Sequence, residues 1–215
     1  MRLVLVGLMA AFYILPAHAQ SITIGGNQDS DDAFTNYVRP GIAAGINGNY
    51  DRDIADQTTA LGLMPRMVAA HYERGIAYLH ESKWDNAIAD MTAVIKAPPS
   101  SQRPQNMVAA AYQFRGDAYG AKGDLPNALA DYNQALNFNP RDAFTLNSRG
   151  MVYFNQKSYD AAIADYTAAL QINPKLAGAL YGRGLAEKIK GNPKAAQDLA
   201  DAKAMDPQVE AMFGG

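Results

Sequence analysis

A glycine followed at a fixed distance by a proline recurs along this chain, and no other feature limits its fold so tightly. Gly41, Gly75, Gly116, Gly150 and Gly184 keep one interval with a single longer step between Gly75 and Gly116, and Pro65, Pro99, Pro140 and Pro174 each follow their glycine at a constant offset. The interval is about 34 residues, and self-similarity at such a period marks a solenoid. Its repeats contact only their neighbours and cannot bury an apolar face alone.

Each copy carries more than the two marker residues. Alanine stands twelve places after the glycine at Ala87, Ala128, Ala162 and Ala196, and Tyr50, Trp84, Leu125 and Tyr159 stand nine places after it. Leu146, Gly150 and Tyr153 recur at i, i+4 and i+7 and line one face of a first helix. Ala162, Tyr166 and Ala169 do the same on a second helix, with Lys157 and Ser158 at the turn between them. Small residues let two helix backbones approach, and the rings beside them fill the seam. A residue before proline is pushed out of the α region, so the second helix ends ahead of Pro174. The pattern predicts an all-α fold of stacked helical hairpins.

The stretch AFTLNSRGMVYFNQKSYDAAIADYTAALQINP, Ala143 to Pro174, resembles the tetratricopeptide repeat in pattern and period. The resemblance extends over roughly residues 34–210. It implies a right-handed alpha-alpha superhelix of about five hairpins, with repeats at 68–101, 109–142 and 143–176 and degenerate copies at 34–67 and 177–210. In the first copy, Pro40 predicts a broken or late-starting helix, and Asp53 replaces the repeat alanine. The last keeps Gly184 and Ala196 but has Glu187 at a tyrosine position, Pro193 at the turn and Pro207 one place early. An insertion at 102–108, preceded by Pro98-Pro99-Ser100-Ser101, reads as a surface loop or longer connection.

Residues 1–19 have a different character. Arg2, the apolar run Leu3–Leu15 and the small-x-small site Ala17-His18-Ala19 predict a signal peptide cleaved between Ala19 and Gln20. The run is too short for a comfortable membrane span and nothing later is apolar for long enough, so no stable membrane insertion is expected after cleavage. Losing Arg2 with the leader would make the net charge one unit more negative than the −2 of the whole chain. Export to a bacterial periplasm is the expected location, and the absence of cysteine excludes a disulfide framework and a lipoprotein anchor. Residues 20–33, polar and glycine-bearing, read as a flexible lead-in, and the acidic cluster there does not supply both the central glycine and the twelfth-position glutamate of a calcium loop.

Catalytic chemistry is not legible. His71 and His80 sit at opposite ends of one expected helix, outside the i, i+4 spacing of a metal pair. No nucleophile elbow, zinc-protease, P-loop or dinucleotide motif occurs. No enzyme activity, cofactor or metal is expected. Arg74, Arg115, Arg149 and Arg183 each precede the repeat glycine, and Asp90, Asp131 and Asp165 follow the first three at one common offset. An acidic net charge and the lack of clustered lysines argue against nucleic acid, so this ladder reads as ion pairs at the helix seams.

The first helices also carry a second stripe, about 130° round from the glycine face at about 100° per residue. It comprises Tyr72, Ile76 and Leu79; Gln113; Phe144, Asn147, Met151 and Phe154; and Tyr181 and Leu185. In the resembled family this stripe lines the concave groove, which implies a binding module for a protein or peptide segment. The family's best-known groove is a lysine–asparagine–arginine clamp for a terminal carboxylate, but Tyr72, Ile76, Phe114, Phe144 and Ser148 stand here instead. The expected partner is therefore a segment with apolar anchors. Two alternatives remain open at this level: packing of these side chains between repeats or under the lead-in, and a self-associating scaffold subunit.

Overall fold

A computed structural model describes residues 28–99 and 103–213, so the expected signal peptide and residues 20–27 of the lead-in lie outside the described residues. The described residues are almost wholly helical. α1 spans Gln28–Ala33; a π turn, Phe34–Val38, leads into α2, Arg39–Ile46; then follow α3 (Tyr50–Leu63), α4 (Val68–His80), α5 (Trp84–Lys96), α6 (Gln105–Ala121), α7 (Leu125–Phe138), α8 (Ala143–Asn155), α9 (Tyr159–Ile172), α10 (Ala177–Ile189) and α11 (Ala195–Met205). A 3₁₀ turn, Val209–Phe213, follows α11. From α2 onward the helices succeed one another as hairpins, and the chain forms two compact units, an N-terminal one to Ala118 and a C-terminal one from Tyr119.

In the N-terminal unit, α2–α5 pack in chain order. Pro40 lies at the start of α2, but Val38 and Arg39 before it keep helical backbone, so the helix is distorted there and not broken or late-starting as expected. Ahead of it the backbone shifts to longer bonds, with the Arg39 N–H donating to the Phe34 carbonyl. The Val38 carbonyl accepts from Gln57 Nε2 at 3.2 Å. The lead-in expected over 20–33 is helical from Gln28, and Ala33 and Phe34 are buried with Ile42, Ala60 and Met67. The insertion expected as a loop is helical from Gln105. Met107 and Ala111 pack on Val68, Ile76, Met91 and Val94, so apolar burial extends α6 backwards by a turn.

In the C-terminal unit the seam is built around Tyr166. A Cβ added to Gly150 would lie 2.9 Å from Tyr166 Cε1, and one added to Gly182 would also run into the ring. The ring thus sits between α8 and α10, fully buried with Ala162 and Ala169. Only hydrogen at both positions admits it. The last hairpin is shifted by one place in its second helix. Gly184 faces Leu199, whereas Gly150 faces Tyr166, which lies one place further along its own hairpin. Ala195 is buried and Ala196 is exposed, which corrects the alignment of Ala196 with the repeat alanine. One residue is missing between Gly191 and α11, and the early Pro207 records the same deletion.

Every hairpin turn uses a left-handed residue seven places after the repeat glycine: Gly48, Ser82, Gly123, Lys157 and Gly191, with φ of 77°, 55°, 81°, 60° and 76°. Glycine takes this conformation freely, whereas a Cβ costs roughly 1–2 kcal/mol. Lys157→Gly should therefore raise stability by roughly 0.5–1 kcal/mol after the added freedom of the unfolded chain is subtracted. Urea unfolding reads this directly, and unchanged or lower stability would show that Lys157 is unstrained.

A second departure lies at Asp53, the position where other copies have alanine. It is 2% exposed and accepts from Gln57 Nε2 at 2.9 Å. Gly41 and Gly45 make room for it; a Cβ on Gly45 would lie 2.5 Å from Asp53 Oδ2. Burial pushes the carboxyl up to about 6 against the opposing bond from Gln57, with a further push from Asp56. A folded-state pKa above the unfolded 3.8 means that ionisation opposes folding. The penalty is absent below pH 3.8, grows as pH rises to about 6 and is complete above it. Asp53→Asn should add on the order of 2–3 kcal/mol at pH 7 and almost nothing at about pH 3.5. Equal gains at both pH values would show that the carboxyl is not titrating.

Candidate partner-binding face

The residues of the expected groove fall into different environments. In the N-terminal unit, Ile76 is buried with Met91, Val94 and Met107, and Leu79 with Ala87 and Ala118. These two side chains are core, not groove, because α6 packs over the stripe that α4 presents. Tyr72 is half-buried, its ring 6.0 Å from that of Phe114, and its hydroxyl is held neutral by burial and by the nearby Glu73 charge. Gln113 is also half-buried.

In the C-terminal unit, Phe144, Phe154 and Leu185 are half-buried and pack on the core cluster of Leu146, Tyr166, Leu180 and Tyr181. Asn147 and Met151 are fully buried and Tyr181 nearly so, which corrects the expectation that they line an open groove. What covers this face is the chain's own C-terminal turn. The Phe213 ring stands 5.2 Å from that of Tyr181 and 6.2 Å, edge-on, from that of Phe154. Met212 reaches the neighbourhood of Gly178 and Asn147. Glu210 bonds to Tyr181 and pairs with Lys203 at 2.9 Å. Burial, followed by the bond and charge of Glu210, pushes the Tyr181 hydroxyl up. Neither polar atom of the Asn147 amide has a hydrogen-bond partner.

Val209, Met212 and Phe213 follow Pro207 with the i, i+3, i+4 spacing of one apolar helical face, the signal that could have marked this turn. The repeat pattern ends before it.

Tetratricopeptide repeat models match residues 41–102 and 143–176, and a TPR repeat model matches 116–157, together more than half of the chain. The chain belongs to the tetratricopeptide-repeat family. The crystal structure of MamA protein is 22% identical, with a TM-score of 0.67, over 86% of this chain and 97% of that one. TTC0263, a thermophilic TPR protein in Thermus thermophilus, is 22% identical at a TM-score of 0.63, over 83% and 94%. YrrB, described as a TPR protein with an unusual peptide-binding site, is 19% identical at 0.62, over 86% and 95%. At these identities the likeness is one of fold. Among curated proteins none matches the chain in sequence.

The charged ladder is a seam device of these tetratricopeptide hairpins. Arg149 donates from Nε and Nη2 to the two Asp165 oxygens, both at 2.7 Å, and from Nη1 to Asn133 Oδ1 at 2.7 Å. Arg74 repeats the arrangement with Asp90 at 2.8 and 2.9 Å and Thr58 at 3.1 Å. Each of these two arginines thus reaches forward within its hairpin and equally far back to the preceding one. Arg115 reaches further back, to Thr92 at 2.9 Å, because the seven inserted residues intervene. Arg183 pairs with Asp198 at 2.6 and 2.9 Å, a partner that the deletion shifts off the common offset. The guanidinium groups of Arg74 and Arg149 also lie over Tyr78 and Tyr153.

Burial alone would raise the Asp90 carboxyl, but the bonds and charges of Arg74 and His71 outweigh it and lower it. His71 Nδ1 lies 2.7 Å from Asp90 Oδ1 and Nε2 lies 3.1 Å from the Pro65 carbonyl, so this imidazole belongs to the seam. His80 stacks on Tyr50 at 4.3 Å.

A bidentate pair with a buried carboxylate couples more strongly than an exposed one. A double-mutant cycle of Arg149→Ala and Asp165→Ala should give about 1–3 kcal/mol of coupling. Additive losses would show that the two act independently.

Proposed function

We propose that this tetratricopeptide-repeat protein is a non-catalytic interaction module that holds an apolar segment of a partner protein on α8 and α10. One observation carries the reading. Rigid hairpins hold Phe144, Phe154 and Tyr181 together beside the unpaired Asn147 amide, an arrangement suited to a short chain segment. Aromatic rings supply contact area at little entropic cost, and an amide can pair with a segment's backbone. His71 and His80 are engaged structurally, which supports a binding role over acid–base chemistry. The cell envelope is the proposed setting, on the leader-like character of residues 1–19 alone.

The test is selection of displayed random peptides on the full chain. Enriched sequences should carry two large apolar side chains within one helical turn. Phe154→Ala should weaken their binding at least about tenfold, with circular dichroism unchanged. Equal binding by that variant would place partner recognition elsewhere.

A further inference from the structure

The face on α8 and α10 already carries an occupant, and its construction says what the partner looks like. After α11 ends at Met205, the Val209 N–H donates to the Asp206 carbonyl and the Gln208 N–H to Asp206 Oδ1, which turns the chain back on itself. Val209 is then fully buried, Met212 and Phe213 lie half-buried on the face, and Glu210 and Ala211 face solvent. One turn of helix thus presents Val209, Met212 and Phe213 inward and Glu210 at the rim.

We propose that Val209–Phe213 is a tethered ligand in cis, which a partner segment of the same chemistry displaces. That chemistry is a single helical turn with an acidic side chain three places ahead of an aromatic one and an aliphatic or methionine side chain beside it. The inference rests on the binding-module reading above.

Three observations favour displacement over permanent burial. The attachment is short, and its polar lock, Glu210 with Lys203, is half-exposed on both sides and open to screening by salt. The last hairpin has its own fastening beneath the turn, through Arg183 with Asp198 and Leu199 against Gly184. The fit is also incomplete. The Met212 side chain ends near the Asn147 amide, whose two polar atoms, fully buried, have no partner. A buried amide left unpaired is unfavourable, so a segment that brings a carbonyl or N–H to it gains over the turn now in place.

The test uses the full chain and a fluorescein-labelled synthetic peptide of residues 206–215, followed by anisotropy. Met212→Ser combined with Phe213→Ser releases the tail, and the released protein should bind the probe at least about tenfold more tightly than the wild-type chain. Adding Phe154→Ala should remove that gain. Folded released protein that binds no more tightly than wild type overturns the proposal. Loss of helicity on release overturns it too, because a segment the fold requires is not a displaceable ligand.

A library-selected peptide separates this inference from the reading beneath it. It should also bind the released form more tightly, and in hydrogen exchange it should strip protection from amides 209–213 of the wild-type chain. Equal binding to both forms, with loss on Phe154→Ala, leaves the interaction module standing and removes the tethered ligand. Failure of every peptide on both forms removes both.

Discussion

Arg74 and Arg149, each next to a repeat glycine, join three helices at one point. In Arg149 the fork closes on Asp165 while the remaining nitrogen holds Asn133 of the hairpin before. The glycine next to it brings the backbones close enough for this reach, and the tyrosine four places on lies under the guanidinium. Close approach, charge pairing and ring packing are thus one local arrangement, found at both Arg74 and Arg149. Lysine could supply the charge but not the planar fork. The arrangement also explains why these arginines are poor sites for an external anion: their donors are committed to the seam.

Tolerance of the insertion follows from the same geometry. About one turn of the insertion lengthens α6 at its start and the rest lies in the connection ahead of Gln105, so the register of α6 from the repeat glycine onward is untouched. Met107, Ala111 and Ala118 remain on one side, and Arg115 still reaches the preceding hairpin. A deletion of one residue is absorbed differently, by the turn before α11, which brings the partner carboxylate one place nearer in sequence and leaves the fork on Asp198 intact.

What could be read from the sequence was what repeats. Hairpin boundaries followed from glycine and proline, and the pairs Arg74–Asp90 and Arg149–Asp165 from their common offset. The parts that escaped depart from the period. α1, the first turn of α6, the shifted register of α11 and the turn at Val209–Phe213 have no second copy against which to recognise them. The face itself was half legible for a related reason. Helical phase shows that Ile76, Leu79, Met151 and Tyr181 share a stripe, but only the neighbouring element decides whether that stripe meets water. For Ile76 that neighbour is α6, and for Tyr181 it is Phe213.

Residues 206–208 are the whole link between α11 and the turn that covers its neighbour. A group on so short a leash is present at an effective concentration of about millimolar or more, however dilute the protein. Any segment arriving from outside competes with that fixed local supply, and its apparent dissociation constant is the intrinsic one divided by the fraction of molecules with the face uncovered. On the proposed reading, the concentration at which a partner engages is set by this single short turn after α11. Changes there would move that threshold while the hairpins, their glycines and their arginine forks stayed as they are.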